Sequence, residues 1–238
     1  MKKSKLLLTF FALTTVLCLG ACSSAPKAKD GTVSKMQSND LDSIMEDNKQ
    51  KENYLVIDIR DEDEYEKGHA KHAINIEAED LEKNLDKIDD LKESNIVVIA
   101  NSSKDSEASA NLLTSKGYKK VFNSDGYNDS KLKTLTKVSS IRGKEFAKIV
   151  EHANDIVVLD ARDEKDYQAG HIKGAIHVTA DTVESKLNEI PKGKNIFTYC
   201  YSGNRSYQVA SKLVENGYKD VTNVLDGTKE YKEYKLEK

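Results

Sequence analysis

A duplicated segment limits the possible folds of this chain more than any other feature of its sequence. Residues 58–74 and 160–176 are identical at ten of seventeen positions, with a shift of 102 residues between them. Shorter echoes of the same duplication follow at 116–121 and 216–221. Solenoid repeats are only about 20–50 residues long, so a period of about 100 residues indicates duplicated domains. We therefore predict two related domains, at 35–135 and 138–238.

Each half alternates short apolar runs with helical patterns. In the second half the apolar runs predict strands at 156–159, 175–178, 196–199 and 221–224. The helical patterns predict helices at 143–151, 163–169, 180–189 and 206–216. Strands rich in Val and Ile that alternate with helices indicate a parallel sheet covered on both faces. We therefore predict an α/β fold in which a site lies beyond the carboxyl ends of the strands.

The first 21 residues have the pattern of a secretory signal. Basic residues precede an apolar run that is shorter than the roughly 20 residues of a membrane span. The run ends in Leu-Gly-Ala-Cys at 19–22, which resembles a bacterial lipobox and implies cleavage before a lipidated Cys22. An ordinary signal peptide or an uncleaved anchor is the alternative. We expect a lipid-anchored protein of the bacterial cell envelope, with a flexible tether at 22–34.

The net charge and the cysteines of the chain limit its possible functions. The formal net charge is −3, and it becomes −6 once three signal lysines are removed. This balance argues against nucleic acid as a partner, because basic patches bind phosphate backbones. Of the three cysteines, Cys18 leaves with the signal and Cys22 carries lipid, so Cys200 is the one free thiol. A lone thiol in an exported protein indicates reactivity, and a buried structural cysteine is the alternative.

The six residues from Cys200 to Arg205, Cys-Tyr-Ser-Gly-Asn-Arg, have the pattern of an anion-binding loop. They follow an apolar run at 195–199 and precede a helical pattern. The backbone N–H groups of such a turn, with the positive end of the helix dipole, favour a thiolate over a thiol. Since the thiolate is the nucleophile, this pattern predicts chemistry on the Cys200 sulfur.

Three segments of the second half resemble a rhodanese (sulfurtransferase) domain in order and spacing. They are Asp160-x-Arg162, Tyr167-x-x-Gly170-His171-Ile172-x-Gly174-Ala175 and Cys200-Tyr-Ser-Gly-Asn-Arg-Ser206. The similarity covers residues 35–238, because the first half shows the same scaffold. It implies two tandem rhodanese-like domains, each with a small parallel β-sheet flanked by helices. It also implies an inert N-terminal copy beside a catalytic C-terminal copy.

The first half lacks the residues that this resemblance makes catalytic. The replacements are Ala100 for Cys200, Ser103 for Gly203, Asp105 for Arg205 and His72 for Gly174. An alanine cannot form a persulfide, and an acid in place of the arginine would repel an anionic substrate. We therefore predict a non-catalytic first domain. The family resemblance implies that this domain packs against the second domain and forms one wall of its active site.

The resemblance implies a reaction that moves a sulfane sulfur in two half-reactions. The Cys200 thiolate attacks the outer sulfur of a small anionic donor such as thiosulfate. A thiol, cyanide or sulfite then takes that sulfur from the resulting persulfide. No cofactor is implied. The rest of the loop is expected to bind the substrate, namely Tyr201, Ser202, Gly203, Asn204, Arg205 and Ser206.

Several of these residues have two possible roles. Gly203 allows a bend that a Cβ would crowd, and Ser206 is expected to cap the following helix. Arg205 either contacts the anionic donor or forms a structural ion pair, and Tyr201 lines the pocket mouth or is simply exposed. Supporting, mainly structural roles are expected for Asp160, Arg162 and His171. No metal site is predicted, because the only His-x-x-His pair, at 69–72, lacks a third ligand at a convincing spacing.

Two other classes of function remain open on this fold. Phosphatases and arsenate reductases of related fold use a Cys-x5-Arg loop, whereas Cys200 and Arg205 form a shorter Cys-x4-Arg loop that favours attack on sulfur. A non-catalytic binding module on the cell surface is the second alternative, and the presence of the cysteine loop argues against it.

Overall fold

The structure is a computed structural model that describes residues 25–129 and 132–238. The predicted signal peptide at 1–21 and the predicted lipidation site Cys22 lie outside the described residues. Within these two described ranges, no helix is both long and apolar enough to span a membrane.

The first half of the chain forms a five-stranded parallel sheet and a two-stranded ribbon. Its strands are β1 (Thr32–Met36), β2 (Tyr54–Asp58), β3 (His69–Ala70), β4 (Ile74–Asn75), β5 (Asn95–Ile99), β6 (Lys120–Ser124) and β7 (Leu135–Thr136). Its helices are α1 (Ser38–Glu46), α2 (Glu62–Lys67) and α3 (Ser103–Ser115), with 3-10 helices at Lys51–Asn53, Leu85–Lys87 and Asp89–Leu91. The parallel sheet has the order β1-β6-β5-β2-β4, and β3 pairs antiparallel with β7.

The second half repeats this architecture. Its strands are β8 (Ser139–Ile141), β9 (Ile156–Asp160), β10 (His171–Ile172), β11 (Ile176–His177), β12 (Asn195–Tyr199), β13 (Val221–Val224) and β14 (Leu236–Glu237). Its helices are α4 (Gly143–His152), α5 (Glu164–Ala169) and α6 (Asn204–Glu215), with a 3-10 helix at Glu184–Glu189. The parallel sheet has the equivalent order β8-β13-β12-β9-β11, and β10 pairs with β14. The predicted pair of α/β domains is therefore confirmed.

Both faces of each sheet are buried, because the central strands are apolar at successive positions. In β5, Ile96 and Val98 pack in one apolar layer, and Val97 and Ile99 pack in the other. Side chains alternate across a strand, so a run without polar residues fits a sheet that has helices on both sides. This packing places the end of the central strand, and the loop after it, at one edge of the sheet.

The predicted helix at 180–189 is wrong. A turn and a 3-10 helix at Glu184–Glu189 replace it. The hydroxyl of Thr182 accepts a hydrogen bond from the backbone N–H of Thr179 at 3.0 Å. This side-chain contact competes with the backbone bonds of an α-helix, as threonine commonly does.

The sheet of the first domain begins earlier than predicted. β1 starts at Thr32, inside the segment 22–34 that the sequence predicts as a tether. It pairs with β6 along its whole length, from Thr32 against Lys120 to Met36 against Ser124. Residues 32–34 therefore belong to the edge of the sheet, because their backbone groups join its hydrogen-bond ladder.

Arg142, the residue before α4, joins the two domains. Its guanidinium is mostly buried and donates to both carboxylate oxygens of Asp90, at 2.6 and 2.9 Å, and to the Lys87 carbonyl at 3.0 Å. Within its own domain it donates to Asp226 at 3.0 Å. Several charged hydrogen bonds between the domains therefore converge on this one guanidinium.

Candidate active site

Cys200 directly follows the central strand β12 and lies beneath the start of α6. The residue is 1% exposed, and it packs in an apolar cluster with Leu159 and Val209. Its Sγ is 3.3 Å from the Oγ of Ser206, within hydrogen-bond distance for sulfur. Such burial agrees with the alternative of a structural cysteine. The backbone around the thiol is what distinguishes a reactive site from that alternative.

Six consecutive backbone N–H groups, from Tyr201 to Ser206, donate to no acceptor among the described residues. Gly203 is the N-cap of α6, has a φ of 75°, and offers no side-chain cap. A Cβ at Gly203 would lie 2.7 Å from the Leu225 carbonyl oxygen, so glycine is required for this bend. Unpaired N–H groups at a helix N-terminus form a ready binding site for an anion.

In the equivalent loop of the first domain, residues 101–106, three of the six backbone N–H groups donate to oxygens of the same domain. The N–H of Ser103 donates to the carboxylate of Asp129 at 2.9 Å. The N–H of Asp105 donates to the hydroxyl of Ser102, which caps α3. The two loops also differ in backbone conformation, because the N-cap of α6 is the left-handed Gly203, whereas the N-cap of α3 is the extended Ser102. The first-domain loop thus has fewer free N–H donors than the second-domain loop.

The sequence predicted that Ser206 caps the helix, and this prediction is wrong. Helix α6 starts two residues before Ser206, at Asn204, and its N-cap is Gly203. The Ser206 hydroxyl donates to Asn223 Oδ1 at 2.7 Å, and Asn223 Nδ2 donates to the Gly203 carbonyl at 3.1 Å. Ser106 and Asn123 repeat this arrangement in the first domain. The serine and the asparagine therefore fix the loop in both copies. Sequence reasoning missed Asn223, although its repetition at 123 was a visible signal.

Arg205 forms a surface ion pair at the rim of the loop. Its guanidinium is 51% exposed and donates to Asp163 at 2.7 Å. This hydrogen bond raises the pKa of Arg205, against a smaller effect of burial. Tyr201 donates its hydroxyl to Asp163 and to Asp166, and burial together with these acids raises its pKa to about 12. Both side chains therefore lie at the rim and are held by acids of the α5 region.

Asp160 and Arg162 form a buried ion pair at the end of β9. Arg162 donates to both Asp160 oxygens and to the Gly170 carbonyl, and Tyr199 donates its hydroxyl to Asp160. Burial and the Asp160 charge raise the pKa of Tyr199, so it remains a neutral donor. The first domain carries the same pair at 58 and 60. These contacts are structural and they connect β9 to β12.

His171 is a packed, hydrogen-bonded side chain. Its Nδ1 is 3.0 Å from the Tyr167 carbonyl oxygen, and its ring stacks on the Tyr167 ring at 4.0 Å. His69 makes the same two contacts with Tyr65 in the first domain. The histidine is thus common to the domain that has the cysteine and to the domain that has Ala100 in its place. Across the part of the chain that the structure describes, no three His, Cys, Asp or Glu residues gather as metal ligands would.

The family model for the rhodanese-like domain matches this chain twice, at residues 39–128 and 143–234. The thiosulfate sulfurtransferase GlpE of Coxiella burnetii is 36% identical over 78 residues, which are 33% of this chain and 73% of GlpE. YrkF of Bacillus subtilis is 30% identical over 94 residues, which are 40% of this chain and 51% of YrkF. The chain thus spans about half the length of YrkF.

Solved structures are similar to parts of the chain. A rhodanese-like domain protein of Staphylococcus aureus is 28% identical with a TM-score of 0.38, covering 41% of this chain and 95% of that one. A thiosulfate sulfurtransferase of Pseudomonas aeruginosa is 19% identical with a TM-score of 0.36, covering 86% of this chain and 43% of that one.

Proposed function

Because the chain belongs to the rhodanese-like domain family, we propose that it is a sulfurtransferase that carries a sulfane sulfur on Cys200. One observation supports this proposal above the others. The one cysteine among the described residues is followed by six consecutive backbone N–H groups without acceptors. Such donors stabilise a thiolate, and they would stabilise the terminal sulfur of a persulfide in the same way.

The proposed donor is thiosulfate or a similar small anion. The Cys200 thiolate attacks the outer sulfur, a new S–S bond forms, and the old S–S bond breaks with its electron pair leaving on sulfite. In the second half-reaction a cyanide, sulfite or thiolate acceptor attacks the outer persulfide sulfur. The bond to Cys200 then breaks, and its electron pair restores the thiolate. No external oxidant or reductant is needed.

Mass spectrometry after incubation with thiosulfate tests this function. We expect the protein to gain the mass of one sulfur atom at Cys200, and to lose it when cyanide is added. Cys200→Ser should gain nothing. A matched control, Ala100→Cys in the Cys200→Ser protein, places a thiol before the loop that has fewer free N–H donors, and this protein should also gain little. An unmodified wild-type protein would contradict the proposal.

The geometry gives less support to phosphatase or arsenate reductase chemistry. In that chemistry the arginine of the loop binds the oxyanion, whereas Arg205 is paired with Asp163 at the surface. Hydrolysis of an aryl phosphate by the wild-type protein, lost in Cys200→Ser, would favour this alternative. Capture of a protein partner without any sulfur loading would favour a binding module instead.

We also propose that a lipid on Cys22 holds the protein in the bacterial cell envelope. The lipobox pattern at 19–22 supports this location. Detergent phase partitioning of protein made in a bacterium should place the wild type in the detergent phase and Cys22→Ser in the aqueous phase. Equal partitioning of the two proteins would contradict the lipid anchor.

A further inference from the structure

A segment of the first domain lies against the loop that follows Cys200. Residues 47–53 connect α1 to β2, whereas the equivalent connection of the second domain consists of residues 153–155 alone. The inert copy therefore carries a longer connection at this position. The Asp47 carboxylate shapes it by accepting hydrogen bonds from the N–H groups of Lys49 and Gln50, at 2.9 and 3.0 Å.

Lys51 of this segment reaches across the domain interface. Its Nζ donates to the carbonyl oxygen of Ser202 at 2.6 Å, and the residue is 6% exposed. Beside it, the side-chain amide of Asn204 donates to the Asn48 carbonyl at 3.2 Å. Two residues of the loop, Ser202 and Asn204, are thus held by the same segment of the first domain.

The Lys51 ammonium has no carboxylate within ion-pair distance in the described part of the chain. A buried ammonium without an anionic partner is costly, so its position calls for a nearby negative charge. Burial lowers the pKa of Lys51, and the charge of a Cys200 thiolate is the largest effect that raises it again, ahead of Glu52, Glu230 and Asp226. Since Coulomb interaction is mutual, a negative charge on the Cys200 sulfur would in turn be attracted by this ammonium.

The hydrogen bond to Ser202 also orients the loop. In a trans peptide the C=O and the following N–H point in opposite directions. With the Ser202 carbonyl directed to Lys51, the N–H of Gly203 therefore points away from the first domain. Gly203 is the N-cap whose N–H belongs to the unpaired series.

We propose that Lys51, contributed by the non-catalytic domain, is a positioning residue for chemistry at Cys200. It holds the peptide between Ser202 and Gly203, and it supplies the positive charge that favours an anionic sulfur. The part of this inference that concerns sulfur transfer rests on the proposed function. The part that concerns the charge state of the thiol does not.

The test compares the full-length wild type with Lys51→Met and Lys51→Gln. Methionine removes the charge at similar length, and glutamine also keeps an N–H donor for the Ser202 carbonyl. Lys87→Met is the matched control, because Lys87 is also a first-domain lysine at the interface and pairs with Glu145 at 3.0 Å. Two measurements are made on each protein: the pH profile of Cys200 alkylation by iodoacetamide, and kcat/KM with thiosulfate as donor and cyanide as acceptor.

We expect the alkylation midpoint of both Lys51 variants to rise by about one pH unit, and kcat/KM at neutral pH to fall about tenfold. Lys87→Met should change neither. Unchanged midpoints in the Lys51 variants would overturn the inference, and Lys51→Gln decides if Lys51→Met fails to fold. A wild type that transfers no sulfur, combined with a raised midpoint in the variants, would overturn the proposed function and leave the role of Lys51 intact.

Discussion

Replacing Arg142 with methionine should lower the free energy of unfolding of the protein, because this guanidinium connects the two domains. Methionine keeps much of the apolar volume of the side chain and removes its charge and donors. Four hydrogen bonds disappear, to the two oxygens of Asp90, to Asp226 and to the Lys87 carbonyl. Both carboxylates then lie at the interface without the cation that they share.

The magnitude follows from the exposure of the partners. Breaking a fully buried ion pair costs about 3–5 kcal/mol. In the variant, the carboxylate of Asp90 is largely hydrated, because its side chain is 53% exposed. The carboxylate of Asp226 is hydrated less, because its side chain is 24% exposed. The N–H of Gly143 still donates to Asp226 after the change, at 3.2 Å. We therefore expect the free energy of unfolding to fall by about 3 kcal/mol, at the lower end of that range.

This loss is measured by urea unfolding of the purified wild type and variants in buffer without added salt. Lys144→Met is the matched control, since Lys144 pairs across the same interface with Asp89 and both side chains are well exposed. Its loss should be about 0.5 kcal/mol. Hydrogen bonds from Arg142 lower the pKa of Asp90, so the Arg142 contribution is present at neutral pH and fades as acid protonates Asp90, below about pH 3.8. Equal losses in the two variants at pH 7 would refute this reasoning.

Three further predictions concern the second domain. Gly203→Ala should destabilise the protein by about 3 kcal/mol, because φ is 75° and the new Cβ meets the Leu225 carbonyl. Gly193→Ala, with a φ of 76° and open space around it, should cost only about 1 kcal/mol. Burial and Glu52 raise the pKa of Glu230 from 4.5 to about 7, so the ionisation of this one group leaves stability unaffected below pH 4.5 and lowers it as the pH rises towards 7. Because part of Glu230 remains in contact with water, we expect Glu230→Gln to remove a decline of only about 1 kcal/mol in pH-dependent urea unfolding. Arg205→Ala should slow transfer from anionic donors more than from neutral persulfides, as measured by kcat/KM.

Each of these predictions has a clear opposite result. Equal losses at Gly203 and Gly193 would mean that the loop moves away from the clash. A decline in stability that survives Glu230→Gln would assign the titration to another group. Equal losses of kcat/KM for anionic and neutral donors would mean that Arg205 acts only through its ion pair with Asp163.

The sequence was sufficient for the features that depend on local pattern. The duplication predicted two domains, and the apolar run before Cys200 predicted the strand that ends at the thiol. It misassigned Ser206, because the hydroxyl bonds to Asn223, which is distant in sequence and adjacent in the folded sheet. The predicted helix at 180–189 failed for a local reason, the Thr179–Thr182 contact, which helical periodicity does not reveal.

Lys51 shows the limit of sequence reasoning most clearly. A lysine in a polar segment has the pattern of solvated surface, and its neighbours 47–50 strengthen that interpretation. Its burial comes from the docking of the second domain, which no local pattern encodes. The longer connection in the first copy was visible only once the ends of α1 and α4 were known.

The carboxylate of Asp129 has a consequence for the first domain as a whole. Joined to the loop by the chain itself, it competes for the N–H of Ser103 at an effective concentration in the millimolar range, as tethered ligands do. We therefore expect that a cysteine restored at position 100 would not be enough to give the first domain the anion site of its neighbour.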